Sequence, residues 1–497
     1  MPNRLYVSPR NLIFAALLLG LSVAKAGVAE TGSKAAKAKR PNVVLIMADD
    51  MGYEALGCNG GSSYETPILD RIAKRGMRFT HCYSQPVCTP SRVKIMTGRS
   101  NARNYVDFGV LKPGEKTFGN VMKEAGYRSA IAGKWQLSGR GNATDPNPGT
   151  WMDRCGFDEH CMWAYEHYLS KEDWKTHQAT NAPGEKSKVA SRFWHPCVLE
   201  NGKHRPTTAD DFGPDIYSDF LLKFIEKNRD DPFFVYYPMA LTHSPFVPTP
   251  DSREVNPGDK FRSQGKYFGD MVRYTGKIVE RFITKIEELG IAENTLILFT
   301  CDNGTGRSIL SYMGDRPIPG GKAMPIDAGC HVPMLAYWKG TIQPGSVCND
   351  LVDFSDFLPT IAELGNAEVP KDRTLDGRSF LPQLKGEFGN PRDSVLVHYD
   401  KSPQAKKPSF RRVRFAYDGQ YKLYLDGRLF DVPNDWEEQN SISLSDASSE
   451  AMAARKKLQQ ALERLPQWTP DNSVFGGEPD ILMKNRMKQL KELGALD

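Results

Sequence analysis

The apolar positions of this chain fall into two kinds of run. Five are continuous: Asn42–Ala48 (Asn-Val-Val-Leu-Ile-Met-Ala), residues 127–132, 232–240, 295–300 and 334–338. Unbroken apolar runs of that length predict strands buried on both faces of a largely parallel sheet. The runs between them have helical spacing. Thr66-Pro67 opens a helix with Ile68, Leu69, Ile72 and Ala73 on one face, and Gly76 stops it. Residues 216–225 are amphipathic, residues 268–289 set Met271, Ile278, Phe282 and Ile286 near one face, and Ser355 caps a helix through Leu364. Strands alternating with such helices predict an α/β domain, a mixed, mostly parallel sheet with helices on both faces.

After about Gly377 the pattern changes. Residues 411–417, 420–425 and 428–432 alternate as short strands, with Asp418-Gly419 and Asp426-Gly427 as hairpin turns, and a helix follows over about 449–465. We read residues 41–376 as the larger domain and 377–497 as a smaller α+β domain with an antiparallel sheet. Residues 139–210 read as an insertion rich in Gly, Asn, Pro, His and aromatics, with a hairpin in 192–205 turning at Asn201-Gly202. Long loops over a sheet edge commonly build substrate pockets.

The strand ends carry the polar chemistry. The first run stops at Asp49-Asp50, the second leads to Lys134, the third to His243, and the fourth to Asp302-Asn303. In a parallel sheet these ends converge on the carboxyl edge, where open α/β sheets take their ligands. Adjacent carboxylates there repel each other unless a cation joins them. A separate stretch, Pro86-Val87-Cys88-Thr89-Pro90-Ser91-Arg92, leads into a short helix. Pro90 suits a first turn, Val93 and Met96 recur at helical spacing, and Gly98 closes it. Cys88 is thus expected at a helix N-terminus, where free N–H groups favour an anion, with Arg92 one turn on along the same face. A lone cysteine before a helix is ordinarily buried and inert, and a lone lysine ordinarily a solvated charge; their placement beside the acids is what raises them.

Charge adds a location. The net charge of +5 is carried by the first 40 residues, where Arg4, Arg10, Lys25, Lys34, Lys37, Lys39 and Arg40 face only Glu30; the body from Pro41 onward is about −1. That excludes a nucleic-acid surface as the main business. Arg4 and Arg10 precede an apolar run over 12–23 and an Ala24-Lys25-Ala26 cleavage site, so residues 1–26 read as a signal peptide and 27–40 as a linker. The expected location is periplasmic or secreted, with no membrane span after cleavage, in an oxidising compartment. Nine cysteines are present; with Cys88 modified, eight remain for disulfides, and Cys155 and Cys161 form a plausible local pair.

Cys88-Thr89-Pro90-Ser91-Arg92 resembles the Cys/Ser-x-Pro-x-Arg signature of the type I sulfatases, in the alkaline phosphatase superfamily. The resemblance runs from about Pro41 to Asn440 and implies an alkaline-phosphatase-like fold. It implies that a maturating enzyme, such as a formylglycine-generating enzyme, oxidises Cys88 to formylglycine (3-oxoalanine), whose hydrate is the nucleophile. It implies that Asp49, Asp50, Asp302 and Asn303, with residue 88, bind one divalent cation, most often Ca²⁺; all-oxygen ligands suit Ca²⁺ or Mg²⁺, not zinc. By the same resemblance Arg92 and the cation stabilise the ionised hydroxyl of the hydrate, Lys134 and Lys322 (in Gly320-Gly321-Lys322) hold sulfate, and His243 (in Thr-His-Ser-Pro) protonates the departing alcohol. Leu429-Phe430-Asp431 to Glu438-Gln439-Asn440 is similar to the family's small-domain segment.

The chain departs from the family at one point. Where relatives read Gly-Lys-Trp-His-Leu, position 136 is Gln, an amide that cannot take up a proton. His331 and Asp302 are the candidates to replace that histidine, although His331 reads more readily as a histidine packed near a strand start. The expected substrate is a sulfate ester of a carbohydrate; Trp151, Trp163, Tyr165, Trp194 and His195 of the insertion can serve as sugar contacts or, for most of them, as core. Two alternatives stand beside this: a phosphoester or phosphonate hydrolase on the same fold, and a sulfoglycan-binding protein that has lost turnover.

Overall fold

The five apolar runs all become strands of one sheet. The computed structural model describes residues 40–139, 149–180, 191–256, 258–403, 412–468 and 481–495. The expected signal peptide, nearly all of the linker, parts of the insertion and Arg411 lie outside them. In chain order the strands are β1 Asn42–Ala48, β2 Met77–Tyr83, β3 Arg128–Lys134, β4 Glu159–Trp163, β5 Val198–Glu200, β6 Lys203–Arg205, β7 Phe233–Pro238, β8 Thr295–Cys301, β9 Leu310–Met313, β10 Arg316–Pro319, β11 His331–Tyr337, β12 Ser346–Asp353, β13 Val395–Tyr399, β14 Val413–Tyr417, β15 Tyr421–Tyr424 and β16 Leu429–Asp431.

The large sheet has ten strands in the order β12-β2-β11-β8-β1-β7-β3-β4-β5-β6. The central strands β8, β1, β7 and β3 are mutually parallel. β11 runs against β2 and β8, and β5 against β4 and β6. β1 is wholly buried because both its edges are paired and both its faces are covered. β2 (Met-Arg-Phe-Thr-His-Cys-Tyr) and β12 escaped the sequence reading: polar residues interrupt both, and an antiparallel neighbour or a sheet edge tolerates that better than the centre does.

Helices cover the sheet where the periodicity places them. Pro67–Arg75 starts with Pro67, and Phe268–Glu288 buries Met271, Ile278, Phe282 and Ile286. One cap differs from expectation. Asp353, not Ser355, caps: its carboxylate accepts from Ser355 N and Oγ, and Asp356 accepts in return from Asp353 N. A carboxylate satisfies two donors there, so the chain makes a 3₁₀ turn over Phe354–Asp356 before Phe357–Leu364.

The small sheet, β13-β14-β15-β16, is antiparallel throughout. Its turns put Gly419 and Gly427 at φ of 100° and 91°, which glycine adopts at no steric cost. The period-2 pattern gives it two apolar faces. Val395, Val397, Tyr399, Phe415 and Tyr424 pack with Tyr83, Val87 and Cys88, while Ala416, Leu423 and Leu429 pack under the Ser449–Glu463 helix. The small sheet therefore buttresses the start of the Cys88 helix. A buried ion pair helps hold it: Lys422 Nζ donates to Glu438 Oε1 (2.6 Å) and to Pro325 O (2.5 Å), and Tyr424 Oη donates to Glu438 Oε2 (2.5 Å). Lys422→Met strands the buried Glu438 charge and is expected to cost about 3–5 kcal/mol, read from the denaturant midpoint.

No disulfide joins any of the nine cysteines, which corrects the expected Cys155–Cys161 pair. Cys155 closes a 3₁₀ turn and Cys161 lies within β4, both fully buried as small apolar side chains. Among the described residues no helix is long and apolar enough to cross a membrane.

Candidate active site

Four adjacent parallel strands deliver the polar residues to one edge. β8 supplies Asp302 and Asn303, β1 Asp49 and Asp50, β7 leads to His243, and β3 ends in Lys134. Register sets Ala48 beside Cys301, and Asp302 N donates to Ala48 O at 3.1 Å, so the two acidic stretches leave the sheet side by side. Asp50 has φ of 64°, which turns the chain sharply after Asp49.

The carboxylates are buried and share a ring of cations. Asp49 Oδ2 accepts from Lys134 Nζ at 2.7 Å and lies 3.9 Å from Arg92 Nη2. Asp50 Oδ2 accepts from Lys322 Nζ at 2.6 Å, and its Oδ1 from Asn303 Nδ2 at 2.8 Å. Asp302 Oδ2 accepts from Arg92 Nε and Nη2 at 3.2 and 2.9 Å, and Arg92 Nη1 donates to Lys134 O at 3.0 Å. Burial raises the Asp49 carboxyl, but Lys134, His243, Arg92 and Lys322 outweigh it and hold it well below the usual range. At Asp302 burial and the charge on Asp49 prevail over Arg92 and Lys134, and push the carboxyl up to about 7. Burial opposes charge on Arg92 and Lys322, yet the carboxylates keep both above their ordinary values.

Two oxygens in this ring have no partner: Asp49 Oδ1 and Asn303 Oδ1 are buried and unbonded. Buried acceptors are rarely left so. Together with the crowded carboxylates they fit a hard divalent cation with oxygen ligands. Asp49, Asp50 and His243 also each place a ligand atom within 4.8 Å of the others.

Cys88 begins the Cys88–Thr97 helix, as its flanking residues predict, with Val87 at the N-cap and Gly98 left-handed at the C-cap. It is 3% exposed, and its thiol contributes to the field at Arg92 and Lys322. The backbone brings the Lys322 loop close: Ala323 N donates to Pro86 O at 2.7 Å. His243 Nδ1 donates to Ser244 O at 2.5 Å, which leaves Nε2 facing Asp50 Oδ2 at 3.7 Å. Burial lowers this imidazole to about 4 despite Asp50 and Asp49.

A cavity of about 580 Å³ opens beside Asp50 and Lys322. Ser244, Phe246, Arg307, Asn485 and Gln489 line it, the last two from the Ile481–Glu492 helix. Arg486 of that helix is anchored inward on Glu437, with Nε 2.6 Å from Oε2. Sequence reasoning missed this wall. Arg307, three residues past Gly304, had a signal in its nearness to the Asp302 stretch; Asn485 and Gln489 had none.

None of Trp151, Trp163, Tyr165, Trp194 and His195 lines the cavity. Trp194 is buried, with Nε1 donating to Pro248 O at 2.7 Å, and His195 is 2% exposed against His177. Trp163 is fully buried beneath the Arg192 guanidinium, 4.0 Å from the ring centroid. Trp163, Trp194 and His195 build the core of the insertion, whereas the Tyr165 hydroxyl is buried, unbonded and in the field of Cys88 and Asp49. His331 is not a replacement for the missing histidine. Its Nδ1 faces Asp327 Oδ2 at 3.2 Å, its Nε2 donates to Thr80 O at 2.9 Å, and its ring is stacked between Tyr53 and Tyr83. Gln136 has φ of 55° and a buried, unbonded Oε1. Asp302 is engaged by Arg92 and by Asp50 N (3.2 Å).

Comparison with known proteins agrees with this geometry. The Sulfatase family profile matches residues 41–367, and that for N-sulphoglucosamine sulphohydrolase, C-terminal, matches 321–467. The chain is 31% identical over 515 residues to arylsulfatase A of Homo sapiens, covering 98% of this chain and 91% of that one. It is 31% identical over 422 residues to N-acetylgalactosamine-6-sulfatase of Mus musculus, covering 80% and 74%. The solved structure of Ps i-CgsB shares its fold with a TM-score of 0.66 at 24% identity, covering 92% and 98% of the two chains. The chain belongs to the sulfatase family, sulfuric ester hydrolases of the alkaline phosphatase superfamily.

Proposed function

We propose that this protein hydrolyses sulfate esters of a carbohydrate in the periplasm or outside the cell, through a formylglycine made from Cys88 by a maturating enzyme and with one Ca²⁺. The observation that carries this reading is the convergence, beside Cys88, of three carboxylates, two unbonded buried oxygens, one guanidinium and two ammonium groups. Asp49, Asp50, Asp302 and Asn303 would hold the cation, which neutralises sulfate oxygens when bound. Mg²⁺ fits less well, because it demands a tighter octahedron. Formylglycine, once made at residue 88, would supply as its hydrate the hydroxyl for attack on sulfur. Arg92 orients Asp302 and stabilises negative charge at position 88. Lys134 and Lys322 neutralise the remaining sulfate oxygens and align the ester. His243 gives its Nε2 proton to the departing alcohol; a bound anion favours the charged imidazole that burial otherwise disfavours. With Gln136 unable to move a proton and His331 occupied, no imidazole other than His243 stands at the carboxylate ring among the described residues, and His243 is the natural acceptor in the second half-reaction as well.

The carbohydrate assignment rests on relatives named for sulfated sugars and on the export signal read from the sequence. The test is sulfate release, by ion chromatography, from a panel of sulfated mono- and oligosaccharides. Release from saccharides at rates well above those from 4-nitrophenyl sulfate is the expected result; hydrolysis of phosphonate monoesters alone would overturn the reading. His243→Ala separates the proton-transfer step. It is expected to cost about 10²–10⁴-fold in kcat on a sugar sulfate and far less on 4-nitrophenyl sulfate, whose leaving group needs no proton.

A further inference from the structure

Within the insertion, three elements meet that the catalytic argument does not use. The Lys171–Thr180 helix carries His177, the chain leading into β5 carries Cys197, and β6 carries His204. One ligand atom of each lies within 4.8 Å of the other two. His177 and Cys197 are 1% and 0% exposed. The His177 ring centroid lies 5.5 Å from that of His195 and 5.8 Å from that of His204, at interplanar angles of 62° and 85°, so these rings meet edge to face. His204 Nε2 is buried without a hydrogen-bond partner, and of the two buried ring nitrogens of His195 at least one has none, the other having at most the Thr207 backbone. Leaving such atoms unbonded costs about 1–3 kcal/mol each.

We propose that His177, Cys197 and His204 form a structural Zn²⁺ site, with His195 as the fourth ligand. The donor set decides the metal: one thiolate and imidazole nitrogens suit zinc and exclude calcium. Tetrahedral zinc needs its ligand atoms about 3.3–3.8 Å apart; those of His177, Cys197 and His204 reach this from within 4.8 Å by small side-chain movements, and His195 would swing in from its place against the His177 ring. Such a site joins the helix to the β5–β6 hairpin. It also fixes the stretch that bears Arg192, which sits over Trp163 and contributes to the field at His243. Zinc here braces a wall of the active site from outside it.

The test uses the full chain, purified without a histidine tag in metal-depleted buffer. Elemental analysis is expected to find about one zinc per chain, resistant to dialysis. Cobalt(II)-exchanged protein is expected to show thiolate-to-cobalt charge transfer and intense tetrahedral d–d bands. Cys88→Ala should keep that charge-transfer band and Cys197→Ser should lose it. His204→Gln, at a half-buried position, keeps the thiolate and should weaken zinc on the order of 100-fold. Zinc far below one per chain together with no thiolate band in the cobalt protein overturns the proposal. So does a band that survives Cys197→Ser. If Cys197→Ser does not fold, unchanged zinc affinity in His204→Gln overturns it.

Discussion

Replacing Cys88 by alanine is expected to lower kcat on the order of 10⁴-fold or more while the protein stays folded. The two effects separate because of where the residue sits. Cys88 is the first residue of its helix, beyond the N-cap, and its backbone does not depend on the thiol. Its side chain packs on Tyr83, Val87 and the small sheet, so removing one sulfur leaves a small void costing about 1–2 kcal/mol. Activity has no such reserve. Among the described residues, no other nucleophile begins a helix beside Arg92, Lys322 and the carboxylate ring. The mass of the peptide containing residue 88, from protein made with and without a maturating enzyme, should track turnover: aldehyde or hydrate in the active sample, thiol in the inactive one. Full activity in Cys88→Ala, or in protein carrying only the thiol, would place the nucleophile elsewhere.

The central strands were legible because burial on both faces forces an unbroken apolar string, and β1 and β8 match their predicted bounds to within a residue. The acids at their ends were legible for the same reason: a buried strand cannot run into Asp49-Asp50 without purpose. Pro90 and Gly98 marked the Cys88 helix. The substrate wall was not legible. Asn485 and Gln489 belong to a helix far along the chain, and the long-range bonds of Arg486 to Glu437, Pro319 O and Gly320 O bring them to the cavity. Trp194 and His195 fall on the core side of a choice the sequence left open, because an aromatic residue in a polar insertion can serve a pocket or the insertion's own core, and composition does not tell these apart. His331, the first residue of β11, is the packed histidine near a strand start that the sequence favoured, but its partners were not legible. Thr80 and Asp327, which occupy its nitrogens, come from β2 and from the turn before β11, and β2 had not been recognised as a strand.

Chelation of divalent cations is expected to abolish turnover by on the order of 10³-fold or more and to lower the unfolding midpoint, with Ca²⁺ restoring both. Saturation at about 1,000 times Kd contributes about 4 kcal/mol to stability. The pH dependence gives this prediction its sign. Without a cation, burial and Asp49 hold the Asp302 carboxyl far above its ordinary range. Between ordinary carboxylate pH and neutrality the folded state then binds a proton that the unfolded state has released. Stability of the cation-free protein therefore falls as pH rises through that window. A cation displaces that proton, so its apparent affinity climbs with pH over the same window, by up to about tenfold per pH unit, and levels off above neutrality. Asp49 adds nothing to this slope, since Lys134 and its neighbours keep it ionised throughout. Unfolding midpoints with and without CaCl₂ should diverge from pH 5 to 7 and run parallel beyond. Asp302→Asn should remove the divergence, because the amide has no proton to lose, and should weaken Ca²⁺ at every pH. A calcium increment that ignores pH in the wild-type protein would mean that the carboxylates are already ionised without the cation, and that Arg92 and Lys134 alone neutralise the ring.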